Sequence, residues 1–318
     1  MSTLHLVDPD TREFMQAFEA FEFDRDSLPA LREAHAQMFL EAQAQMAKPA
    51  SEVAVAKETV MVPRGDGSDV RCVMYRPLAD ATPAAYLHIH GGGYVIGAPE
   101  MMEAALVALS ERLRITVLSV DYRLAPEHPF PAGMDDCYAA LAWLNQESSI
   151  LGIDPSRIAV GGESAGGGLA AALAQHVLAR AEYSLCFQLL VYPMLDNLTG
   201  SDAQPADATT GEFVWTREAN QKAWEYYLAD TGRVAPGVPA AAESLEGLPT
   251  TWLATGALDL FREENVVYAQ RLMAAGVSTE LIIYPGAPHG FQLAIEAPLA
   301  RRFDRDCTEA LARGLGLA

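Results

Sequence analysis

Eight short apolar runs recur along this 318-residue chain: ETVMVP (58–63), VRCVMYRP (70–77), AAYLHIH (84–90), ITVLSVDY (115–122), RIAVGG (157–162), FQLLVYP (187–193), TWLATG (251–256) and ELIIYP (280–285). They are rich in β-branched and aromatic residues and bounded by glycine, proline or aspartate, which marks them as strands. RGDGSD joins the first two and reads as a hairpin turn. From residue 84 onward the runs alternate with helical patterns over 100–113, 134–147, 165–181 and 263–275. Such alternation predicts an α/β fold, with a mostly parallel eight-stranded sheet flanked by helices. The runs are continuously apolar, as strands covered on both faces are. No internal repeat or low-complexity tract breaks the pattern.

Two regions stand outside this rhythm. Residues 1–50 show no strand pattern, and Phe14, Phe18 and Phe21 are spaced as one helical face. Residues 196–237 open as a polar loop and continue into FVWTREANQKAWEYYL, an aromatic-rich helix. Both regions either pack on the sheet or cap a pocket, with Phe18, Phe39, Trp215, Trp224 and Tyr227 bounding it. The chain is thus expected to divide into an N-terminal cap segment (1–50), a first core part (51–195), a cap insertion (196–237) and a second core part (238–318).

Candidate chemistry gathers where strands end. Gly162-Glu163-Ser164-Ala165-Gly166 is G-x-S-x-G between the strand RIAV and the helical AGGGLAAALAQHVLA. A serine on so sharp a turn stands out at the carboxyl end of the sheet, and glycine must flank it because side chains would collide with strand and helix. The helix start adds free N–H groups and the positive end of its dipole. A glycine-rich turn with an incidental serine is the plainer reading; the strand–helix setting favours a nucleophile.

A serine hydroxyl needs a base. Among seven histidines, His5, His35 and His176 fall in expected helices or the N-terminal arm, and His88 lies inside a strand. His90, His128 and His289 lie in loops. On a nucleophile elbow the chain order is serine, acid, histidine. Only His289, in YPGAPHGF past the last strand, follows the serine at a strand end. Two aspartates stand between them after strands, Asp196 and Asp259. Asp259 is preferred because it follows the penultimate strand; Asp196 is read as the start of the cap insertion and stays as the alternative acid.

Negative charge developing on a carbonyl oxygen needs N–H donors aimed at it. Ala165, directly after the serine, offers one. The other source is LHIHGGGYVIG, where a strand ends in His90-Gly91-Gly92-Gly93. A phosphate-binding turn competes with this reading, but no Lys-Ser/Thr follows, nor a GxGxxG with a later acid.

Composition narrows the partners. The 22 basic against 42 acidic residues leave a formal charge of −20. That argues against nucleic acid and anionic membranes, whose phosphates need lysine and arginine. Cys72, Cys137, Cys186 and Cys307 show neither CxxC nor metal spacing and read as reduced thiols of a cytoplasmic protein. MSTLHLVDPDTREF carries no secretory pattern, and no run reaches the ~20 apolar residues of a membrane span. The chemistry calls for no metal and no cofactor.

HGGGYVIG, DYRLAPEHPFPA (121–132), GESAGGGLA and PHGF, in this order, resemble the bacterial hormone-sensitive-lipase-like esterases of the α/β-hydrolase superfamily. The resemblance spans roughly residues 55–315. It implies the α/β-hydrolase fold, with a helical cap made by the N-terminal arm and an insertion after the sixth strand. It implies Ser164 as nucleophile, Asp259 as acid, His289 as base, and Gly91, Gly92 and Ala165 as oxyanion donors. His90 and Gly93 would shape the glycine loop, and the DYRLAPE block would pin it from beneath. Glu163 stands where many relatives have aspartate. Asp259-Leu260-Phe261-Arg262-Glu263 departs from a frequent Asp-Pro-Leu, and Glu263 is expected to support His289. The implied activity is hydrolysis of short- to medium-chain carboxylic esters, small molecules, through an acyl-enzyme; a homodimer is left open. Amide or thioester cleavage on the same triad is the alternative. A non-catalytic ligand-binding relative would lack a triad member, and none is missing.

Overall fold

The computed structural model describes residues 2–17, 21–46 and 54–317. Its sheet has eight strands in the order β1-β2-β4-β3-β5-β6-β7-β8. They are β1 Val55–Pro63, β2 Asp69–Pro77, β3 Ala85–Ile89, β4 Thr116–Val120, β5 Ile158–Glu163, β6 Phe187–Val191, β7 Thr250–Gly256 and β8 Thr279–Tyr284. β2 runs antiparallel to both β1 and β4, and the other neighbouring pairs are parallel. The mostly parallel eight-stranded sheet read from the apolar runs is borne out.

Burial explains the layering. β3, β4 and β6 are buried at every residue, so both sheet faces need cover. On one face lie α4 (Ala132–Gln146), α6 (Ala165–Arg180) and α8 (Arg262–Ala274), around Leu141, Leu169 and Leu272. On the other lie α3 (Glu103–Leu113) and α9 (Pro298–Gly314), around Leu106, Phe303 and Leu311. A one-turn helix, α5 (Ser148–Leu151), follows α4. Because the parallel strands share one direction, the loops after β3, β5, β6, β7 and β8 open at a common end of the sheet.

The regions outside the alternation divide in the structure. α1 (Arg12–Ala17) carries Phe14, which packs with Ala294, Ala297 and Ala300 beside α9. Phe21 lies beyond α1 outside any helix, so the helical face expected for Phe14 and Phe21 is split between two places. Phe18 lies outside the described residues, as does the side chain of Phe39. α2 (Leu28–Met46) crosses near the end of β3, where Arg32 Nε donates to Val95 O at 2.7 Å and Nη2 donates to Ala125 O at 2.8 Å. α7 (Arg217–Leu228) packs Trp224 and Tyr227 onto Tyr94; the Tyr94 and Tyr227 rings stack at 3.9 Å. Such a stack contributes about 1 kcal/mol beyond its buried area. Trp224 and Tyr227 therefore brace the loop after β3 from behind and do not line the pocket.

Candidate active site

Ser164 sits between β5 and α6 with φ 56° and ψ −120°, outside the regions that non-glycine residues favour. Such a backbone costs about 1–3 kcal/mol and persists only where its surroundings hold it. Here the Ser164 N–H donates to Val191 O, and its carbonyl accepts from the N–H groups of Gly168 and Met194, each at 2.9 Å. A Cβ on Gly162 or Gly166 would strike the Ile89 carbonyl at the end of β3. Glycine at both places is what lets elbow and strand meet.

The other two candidates converge on the serine. His289 Nε2 lies 3.0 Å from Ser164 Oγ, and its Nδ1 lies 2.8 Å from Asp259 Oδ2. The carboxylate fixes the ring proton on Nδ1 and leaves Nε2 to accept from the serine hydroxyl. Asp259 is fully buried, and Oδ1 accepts the Phe261 N–H at 2.9 Å. It stands just before α8, whose positive dipole end favours a carboxylate. The Leu258 N–H donates to Ala287 O at 2.9 Å, tying the acid loop to the histidine loop. Tyr192 lies 4.4 Å from the imidazole and Phe261 stands edge-on at 5.3 Å. Asp196, the alternative acid, is held by Arg233 at 3.0 Å instead.

The glycine loop lies against the nucleophile: a Cβ on Gly91 would come 3.5 Å from Ser164 Cβ. Gly92 has φ 111°, a left-handed conformation that glycine adopts without penalty. Among the described residues no carbonyl takes the N–H of Gly91 or Gly92. Ala165 is the first residue of α6, so its N–H has no partner within the helix. Gly93 lies under the Trp215 ring. His90 is wholly buried, its Nδ1 2.8 Å from Gly91 O and its ring stacked on Tyr122 at 4.2 Å. Tyr122 returns its hydroxyl proton to His90 O at 3.1 Å, the pinning expected of the DYRLAPE block. Burial pulls the His90 pKa down to about 4, so the imidazole is neutral at neutral pH and serves as a strut.

Glu163 and Glu263 differ. Glu163 Oε2 lies 3.0 Å from His88 Nε2, and His88 Nδ1 lies 2.9 Å from Ser119 Oγ. The support expected from Glu263 is not found: its carboxylate is exposed and pairs with Arg262 at 2.8 Å. The next residue, Glu264, is the buried one. It accepts the Leu195 N–H at 2.7 Å and the Thr199 hydroxyl, so it grips the segment leaving β6. One step along a helix turns a side chain by about 100°, which is why one glutamate faces water and its neighbour the core. The buried spacing Glu264, Tyr268, Leu272 carried that signal.

A cleft opens over Ser164 and His289. Its walls are Phe21, Met38, Ile96, Met101, Val214 and Trp215. Tyr192 and Gln292 also line it, joined by a hydrogen bond from the Gln292 amide to the tyrosine hydroxyl. Neither belongs to a motif, and nothing in the sequence singled them out.

This strand order, elbow and hydrogen-bonded relay define a serine hydrolase of the α/β-hydrolase type. The chain belongs to the α/β hydrolase fold family, which matches residues 86–293. It is 36% identical over 251 residues to carboxylesterase NlhH of Mycobacterium tuberculosis, covering 76% of this chain and 75% of that one. It is 31% identical over 296 residues to ethyl acetate hydrolase of Pseudomonas putida, covering 90% and 92%. The crystal structure of esterase LipW from Mycobacterium marinum superposes with a TM-score of 0.87 at 36% identity, covering 98% of this chain and 96% of that one. The resemblance to hormone-sensitive-lipase-like esterases and the class of carboxylic-ester hydrolase are borne out. Among the described residues no helix is long and apolar enough to cross a membrane.

Proposed function

We propose that the chain hydrolyses small carboxylic esters of short to medium acyl length, with Ser164 as nucleophile, His289 as base and Asp259 as acid. The observation that carries this reading is the continuous relay, 3.0 Å from Ser164 Oγ to His289 and 2.8 Å from His289 to Asp259. Oγ attacks the ester carbonyl while Nε2 takes its proton. The oxyanion so formed lies against the N–H groups of Gly91, Gly92 and Ala165, each such donor contributing ~3 kcal/mol in related sites. His289 then gives the proton to the departing alcohol. Water, deprotonated by the same imidazole, attacks the acyl-serine; collapse releases the carboxylic acid and returns the proton to Ser164.

Bounded apolar walls support the chain-length reading. Phe21 and Met38 from the N-terminal region, and Val214 and Trp215 from the insertion, close the cleft as a cap would. Four free thiols are in keeping with a cytoplasmic setting. A panel of p-nitrophenyl esters from acetate to palmitate, beside an anilide and a thioester, tests the proposal. The highest kcat/KM is expected at butyrate or hexanoate. A preference for palmitate, or for the anilide or thioester, would overturn it.

A further inference from the structure

Glu163 is unexplained by the relay. It stands at the end of β5 beside Ser164 and lines the cleft, with 15% of its side chain exposed. Its partner His88 is wholly buried. A structural role accounts for the hydrogen bond but not for the charge. On a neutral His88 ring a single proton on Nε2 would satisfy both neighbours, donating to Glu163 at 3.0 Å while Nδ1 accepts from the Ser119 hydroxyl at 2.9 Å. A neutral glutamine carbonyl would serve His88 equally well.

No lysine or arginine lines the cleft or pairs with Glu163 among the described residues. Apart from two histidines, the remaining lining side chains are uncharged. A carboxylate at the edge of an apolar cavity keeps a strong field there, because little water screens it.

The position of this charge says which part of a substrate would feel it. Glu163 at the end of β5 pairs with Val191 of β6, and Tyr192 is the next residue, so Tyr192 stands beside Glu163 at this end of the sheet. Burial, and after it the negative charge of Glu163, push the Tyr192 phenol above its usual range. Tyr192 in turn lies 4.4 Å from the His289 ring. His289 hands its proton to the leaving alcohol, so the alcohol departs on this side. Tyr192 and Trp215 line the same cleft, and aromatic faces attract cations.

We infer that the site prefers esters of amino alcohols, in which a short spacer places a positive charge on the leaving group. The inference rests on the esterase reading and adds the charge of the substrate. Glu163 is its specificity-determining residue. The formal charge of −20 adds long-range attraction for the same substrates.

Butyrylcholine and 3,3-dimethylbutyl butyrate have the same shape and differ in charge. Their kcat/KM values are to be compared by pH-stat in the wild type and in Glu163→Gln, at low salt and in about 1 M sodium chloride. At that salt the Debye length is about 3 Å, so attraction from the distant surface is removed. The wild type should favour the choline ester about tenfold at low salt and about threefold or more at high salt, the range of one well-placed charge contact. Glu163→Gln should bring the ratio near unity. A wild-type ratio of one or below at high salt, or a ratio unchanged in Glu163→Gln, overturns the inference. Should the variant not fold, the wild-type ratio at high salt decides. Cleavage of the neutral ester, and its loss in Ser164→Ala, tests the esterase reading separately. If the neutral ester is not cleaved, that reading fails; if it is cleaved and the ratio is flat, only the charge preference fails.

Discussion

The floor of the cleft and its roof are held by different forces. On the floor, Ser164, His289 and Asp259 are buried, and each is hydrogen-bonded to another member or to backbone. His90 and Tyr122 lock the glycine loop from below. Over the roof, Phe21, Met38, Val214 and Trp215 present apolar side chains to the cleft. Polar ties join it as well: the Phe21 N–H donates to Val214 O at 3.1 Å and the Lys222 ammonium to Phe23 O at 2.8 Å. Trp215 Nε1 donates to Asn220 at 3.2 Å, Asn220 donates to Thr199 O at 2.9 Å, and Arg32 anchors α2. A reacting floor demands particular atoms at particular distances. A roof demands bulk, and many residues supply bulk. Changes to the floor should therefore act on kcat, and changes to the roof on KM.

Asp259→Asn gives the sharpest contrast. It keeps the shape but removes the charge that supports the imidazolium and favours the wrong tautomer, and kcat should fall by about 10⁴, as the same change does in a serine protease. Asp196→Asn loses only an ion pair with Arg233 at the base of the insertion, and kcat should stay within a few-fold. Steady-state kinetics on one soluble ester, with circular dichroism as folding control, separates them. The reverse pattern would move the acid to Asp196.

The floor should also show itself in acid. His90 titrates near 4 in the folded chain against an ordinary 6.5, because burial disfavours its charged form. Between those values the unfolded chain binds a proton that the folded chain does not, so stability rises with pH and is lost as pH falls from 6.5 toward 4. At about 1.4 kcal/mol per pH unit, the contribution of His90 over this window is roughly 3–4 kcal/mol. His90→Asn leaves a donor for Gly91 O and cannot take up that proton. Urea unfolding at several pH values should show a smaller acid loss in the variant, and identical slopes would contradict the burial argument.

Roof variants should act more weakly. Trp215→Ala opens the wall above Gly93, so KM for a butyrate ester should rise about tenfold, equivalent to about 1.4 kcal/mol, with kcat nearly kept. Longer acyl chains should gain relative to butyrate. Arg32→Ala removes a tether that is partly exposed, and a KM change of about threefold is expected, within the range of such contacts. If kcat falls more than KM rises, α2 belongs with the floor, through Val95 and the glycine loop.

The same division explains what the sequence disclosed. Ser164, His289, Asp259 and the glycine loop were legible because each chemical role admits few residue types and falls where a strand ends. The strands themselves were legible as continuous apolar runs. The roof was not. Phe14 and Phe21 looked like one helical face, yet one packs beside α9 and the other faces the cleft. Trp224 and Tyr227 looked like pocket walls, yet they brace Tyr94. Glu263, expected to support His289, faces water while its neighbour Glu264 is buried, because a place in the acid loop says nothing about which way a helix turns each side chain. Tyr192 became visible only in the structure, since its place beside His289 depends on a loop with φ 32° that no local pattern announces.

The most direct test of the relay is covalent. A p-nitrophenyl alkylphosphonate should release one equivalent of nitrophenolate, abolish activity in step, and leave its phosphonyl group on the peptide containing Ser164, read by intact-protein and peptide mass spectrometry. Ser164→Ala should take up no label and hydrolyse no ester. A label on another residue, or ester turnover persisting in Ser164→Ala, would contradict Ser164 as the nucleophile and with it the relay through His289 and Asp259.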